Sequence, residues 1–175
     1  METDAATAIH KEKADGIRRA WHGIAGLSII AFPLMLLMGF VTHPNLLSFA
    51  MVTDVDAWTA EWRESEWFHI GHLVVMLAVP FIILACLELS LHLIERGAWQ
   101  GVAGGVLGVF GAFMLAVDKG ALTFVLTAFK DMAEPEFEAI RPALQAIFER
   151  DGWLWITWGF LALPIGFIVL AIAFN

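Results

Sequence analysis

Four apolar runs, residues 20–41, 67–94, 102–129 and 153–174, leave this chain few ways to fold. Each approaches or exceeds the ~20 residues that a helix needs to cross a bilayer. In hydrocarbon every backbone N–H and C=O must find its partner within the protein, so helices are the expected form. Composition agrees. The 175 residues are 59% hydrophobic and 16% charged, whereas soluble domains carry about 25% charged residues. The expected fold class is an all-α integral membrane protein, a four-transmembrane-helix antiparallel bundle in one domain. Residues 1–19 are polar and read as a tail; no small-residue site that would suit signal cleavage follows the first run.

Basic residues set the expected orientation. Lys11, Lys13, Arg18 and Arg19 precede the first run, and Arg96 follows the second; Arg63, Lys130, Arg141 and Arg150 fall on the other side. The cluster beside the first span dominates, which puts both termini in the cytoplasm. The two connections facing outward are acidic. They hold Asp54, Asp56, Glu61, Glu64 and Glu66, then Asp131, Glu134, Glu136, Glu138, Glu149 and Asp151. This surface excludes nucleic acid as a partner and suits cations, a basic partner or simple solvation. The second connection is patterned. Pro135 can open a helix, and Phe137, Ile140, Leu144, Ile147 and Phe148 recur at helical spacing. Residues 134–150 are therefore expected as an amphipathic helix on the outer surface, bent at Pro142. Trp21 and Trp99 fall at the inner boundaries, and Trp58, Trp62, Trp67, Trp153 and Trp155 at the outer ones, as an aromatic belt requires.

If spans one and two are antiparallel, His22 lies level with His92, Pro33 with Pro80 and His43 with His72. Pro164 falls near the middle of the fourth span, so kinked helices could leave a cavity at the midplane. The third run differs. Gly101, Gly104, Gly105 and Gly108 make a small-residue face, which lets another helix approach closely, within the chain, in a homo-oligomer or in other membrane subunits.

Ionisable groups at membrane depth are costly and point to function. His69 and His72 share a face at the outer end of span two, with His43 expected opposite and Asp118 below them in span three. Nitrogen and oxygen donors of this kind suit copper, iron or zinc, and two facing imidazoles suit haem b. Asp118 and Lys119 are adjacent, hence ~100° apart around the helix, and are not expected to neutralise each other; Lys119 is expected to snorkel outward. At the inner end Glu88 and His92 share a face, with His22 at their level, an arrangement in which a carboxylate orients imidazoles.

A single cysteine, Cys86, rules out internal disulfides and cysteine-based clusters, and no hydrolase, metalloprotease or dinucleotide motif occurs. The expected function is a haem- or metal-binding redox subunit with its site near the outer face. Two other classes fit the same sequence: a non-catalytic accessory or assembly subunit, and an oligomer that passes protons or cations. Orientation is testable directly. With Asp54→Cys or Glu138→Cys, an impermeant thiol reagent should label intact cells from outside; labelling only after lysis would reverse the topology.

Overall fold

The computed structural model describes residues 2–42, 63, 65–148, 159 and 161–175. Among these the chain is all-helical: α1 (Glu2–Val41), α2 (Glu66–His92), α3 (Ala98–Lys130), α4 (Glu134–Phe148) and α5 (Ala162–Phe174). Three stretches are long and apolar enough to cross a membrane, His10–Val41, Glu66–His92 and Ala98–Ala121. Together they are consistent with a membrane protein. α5 is uniformly apolar but has 13 residues, ~20 Å of rise against a hydrocarbon core of about 30 Å; much of the expected fourth run lies outside the described residues.

The polar N-terminus differs from expectation. It is helical from Glu2 and continuous with the first apolar run, giving 40 residues, or ~60 Å of helix. No proline interrupts residues 2–20, and Asp15 and Gly16 are carried within the helix, so it continues out of its apolar part. Elsewhere the boundaries follow local signals. Ser65 caps α2 by accepting the Phe68 N–H at 3.3 Å. The turn into α3 closes with the Gly97 N–H donating to the Leu93 carbonyl at 2.8 Å. Pro33 and Pro80 lie inside continuous helices.

α1 packs along α2, α2 along α3, and α3 along α5. Between them lies a core of Val75, Ala78, Val79, Ile82, Cys86, Ala112, Leu115 and Leu163. The glycines of α3 set how close these helices come. A Cβ placed on Gly101 would lie 2.9 Å from that of Leu93, and one on Gly108 would lie 2.5 Å from the Cys86 Sγ. Gly105 faces the Ser90 side chain. Toward α5 the approach is backbone on backbone. A Cβ on Gly166 would sit 2.5 Å from the Gly108 nitrogen and 2.7 Å from the Gly104 oxygen. The small-residue face is thus filled from within the chain.

α1 presents the opposite picture. Ile24, Leu27, Ile30, Leu34, Leu37 and Met38 are exposed, an apolar strip too extended for a water-facing surface. Gly23 and Gly26 have nothing near them. α1 meets α5 through a stack of Phe32 on Phe167, ring centroids 5.1 Å apart.

α4 forms over the expected range, with Phe137 and Leu144 buried. Arg63 ties it down by donating to the Glu134 carboxylate at 2.5 Å and to the Met132 carbonyl at 3.0 Å, with its guanidinium over the Phe137 ring. Lys130 reaches Glu66 at 3.1 Å.

Gly166→Ala should lower stability in detergent by about 1–3 kcal/mol, because the added methyl meets backbone that cannot move aside. Gly23→Ala should leave the melting temperature unchanged. Equal melting of both variants would contradict the α3–α5 contact.

Candidate functional site

At the end of the helices where α1 meets Gly71, a cavity of about 490 Å³ opens between α1, α2, α3 and α5. Its walls are apolar: Phe32, Leu36, Phe40, Val75, Leu115 and Phe167 among others. The space follows from the packing. Gly39 and Gly71 bring α1 onto α2, where a Cβ on either would collide with Val75 or Thr42. α5 is drawn to α3 by glycine. α1 and α5 are then left apart, spanned by the Phe32–Phe167 stack.

Among the described residues, two polar side chains line this cavity, His72 and Lys119. His72 is buried, and its Nδ1 lies 2.9 Å from the Phe68 carbonyl. A carbonyl only accepts, so Nδ1 carries the proton and donates; in the neutral ring Nε2 is then the basic nitrogen. The Phe68 ring lies 4.2 Å from the His72 ring and holds its orientation.

Asp118 is 3% exposed, facing the interior as its cost in lipid requires. The expectation for its neighbour is corrected. Lys119 does not snorkel away; its Nζ lies 3.0 Å from Asp118 Oδ2. Adjacent Cα–Cβ bonds diverge, but the four-carbon stem of lysine is long enough to fold back. In a low-dielectric surrounding the Coulombic gain from doing so is large. The pair is neutral overall, with its cationic end on the cavity wall.

The expected outer cluster is only partly in view. His43 lies outside the described residues. Among the described residues, no group of three or more His, Cys, Asp or Glu side chains could hold a metal ion, so His69, His72 and Asp118 do not make a metal centre by themselves. His69 is half-buried, edge-on to Phe68.

At the opposite end of the helices the structure assembles a second constellation. Glu88 is 4% exposed. Its Oε2 accepts the Trp21 indole N–H at 2.6 Å, and its Oε1 lies 2.6 Å from His22 Nδ1 and 3.5 Å from His92 Nδ1. His92 also donates through Nδ1 to the Glu88 backbone carbonyl at 3.0 Å. The two imidazoles lie edge to face, centroids 6.2 Å apart. His22 and His92 do share a level, as the sequence implies. The indole donor is the part that sequence reasoning missed: Trp21 reads as an interfacial anchor, and its adjacency to His22 is the signal that could have placed it here.

Between Glu88 and Asp118 lies the apolar core. The hydroxyls nearby are spent within their own helices, Ser28 on the Ile24 carbonyl at 2.8 Å and Ser90 on the Cys86 carbonyl at 2.7 Å. The described residues offer no polar relay from one constellation to the other.

No family model, no curated protein and no solved structure matches the chain.

The Glu88 hub is expected to hold α1 onto α2. Glu88→Ala should lower stability by roughly 1–3 kcal/mol, the cost of leaving its donors without an acceptor. Glu88→Gln, which keeps one acceptor oxygen, should lose less. Unchanged thermal melting of both variants would show that the hub does not carry this contact.

Proposed function

We propose that the chain is a four-span antiparallel membrane protein, termini in the cytoplasm, that binds a lipid-soluble small molecule in the cavity beside His72. The cavity carries this reading. Its volume lies within the roughly 300–1,000 Å³ of small-molecule sites, and such sites pair apolar walls with a few placed polar groups. The space opens at the α1–α5 boundary, where its lining residues Phe40 and Pro164 are exposed, so an apolar molecule dissolved in the bilayer can reach and fill it.

A place in membrane electron transfer follows if that occupant is a redox molecule. Haem b is favoured among such cofactors by one observation: His72 donates its Nδ1 proton to a backbone carbonyl, the arrangement that commonly orients a metal-ligating imidazole. A copper, iron or zinc centre would need His43 to complete it. Cation conduction has little support, because the core between Glu88 and Asp118 is apolar. Association with other subunits or a second copy would fall to α1, since the glycine face of α3 is already filled.

The test is to purify the protein in mild detergent, record its absorption spectrum and metal content, and identify extracted small molecules by mass spectrometry. A stoichiometric lipophile is expected, and Leu36→Trp, which narrows the cavity at its wall, should deplete it. A Soret band lost in His72→Ala would identify the molecule as haem. Protein that retains no lipophile in stoichiometric amount would contradict the reading.

A further inference from the structure

The cavity reading leaves open what selects its occupant, and the Asp118–Lys119 pair bears on that. We propose, resting on that reading, that the ligand is a membrane-dissolved amphiphile whose hydrogen-bond-accepting head, a carbonyl or carboxylate oxygen, is held by the Lys119 ammonium. Its apolar body lies along Phe32, Leu36, Leu115 and Phe167 toward the gap between α1 and α5.

Three observations converge. Lys119 lines the cavity, where nearly every other surface is hydrocarbon. An ammonium has three donors, and among the described residues its one ion pair, with Asp118 at 3.0 Å, uses one of them. The remaining donors sit on a side chain only 20% exposed, where unmet hydrogen-bonding capacity is expensive. The chemistry of the head follows. An acceptor oxygen fits the ammonium, whereas a cationic head such as a quaternary amine would be repelled by it.

Charge-assisted hydrogen bonds are also the strong ones. The route of entry matches a ligand dissolved in the bilayer. α1 and α5 meet through the Phe32–Phe167 stack, and side chains can turn aside where a packed backbone could not. Phe40 and Pro164, both exposed, also line the cavity at this boundary. A lipid quinone and a fatty acid both present the required chemistry, an acceptor head on a long apolar body.

The experiment titrates delipidated full-length protein in detergent with lauric acid, a decyl-tailed benzoquinone and dodecane, which has the apolar body but no head. The variant is the double substitution Asp118→Asn with Lys119→Met. It removes both charges together, so no carboxylate is left buried and unpaired. Wild type should bind lauric acid, the quinone, or both, about tenfold to a hundredfold more tightly than the variant, the range for a charge-assisted hydrogen bond. Dodecane should bind both proteins alike. Loss confined to lauric acid identifies a carboxylate head, loss confined to the quinone a carbonyl head, and loss of both an acceptor of either kind. Equal binding of all three probes to the two proteins would overturn head recognition by Lys119 and leave the cavity reading standing. No binding of any probe, dodecane included, to either protein would overturn both.

Discussion

Close approach of α3 to its neighbours is the constraint on which the rest of the structure depends. Helices in lipid gain little from apolar burial, because lipid tails are as apolar as leucine; they associate where small residues let backbones touch. α3 supplies such residues on two sides. Gly101, Gly105 and Gly108 admit α2, and Gly104 with Gly108 admits Gly166 of α5. With α2 and α5 both fixed to α3, the position of α1 is decided by what it can hold on α2.

α1 has two anchors, one at each end of its apolar part. One is the contact of Gly39 and Thr42 with Gly71 and Val75. The other is Glu88, which gathers Trp21 and His22 from α1. Neither anchor brings α1 against α5, and the cavity is the result. It is a consequence of three tight seams leaving a fourth side loose, rather than of any single kink. The ionisable groups divide along the same lines. Glu88 faces a seam and acts as a cross-link. Asp118 and Lys119 face the loose side, where Lys119 is, among the described residues, the one charged side chain lining the cavity beside His72.

Much of this was legible in the sequence, because the governing signals are local or periodic. Helix type and approximate bounds follow from run length. The glycine spacing in 101–108 foretells a packed face, and the matching positions of His22 and His92 foretell their meeting. The helix at 134–148 shows in the spacing of Phe137, Ile140 and Leu144. What the sequence does not carry is three-body geometry. That Arg63 clamps Glu134 and Phe137, that Trp21 donates to Glu88, and that α1 stands off from α5 each depend on several helices at once. Lys119 departs from expectation for a different reason: adjacent Cα–Cβ directions diverge, but a long flexible stem places the charge beside Asp118. The metal reading of His43, His69 and His72 has one member outside the described residues, and the described members do not complete it.

The decisive property of the molecule is whether the space between α1 and α5 is an occupied site. An experimental density map of the protein in a lipid nanodisc addresses that without choosing a ligand beforehand. Elongated density is expected along Phe32, Leu36 and Phe167, with its head within hydrogen-bonding distance of Lys119 Nζ and the Phe32–Phe167 stack retained. A map in which α1 has closed onto α5, with their side chains interdigitated and the cavity gone, would contradict it.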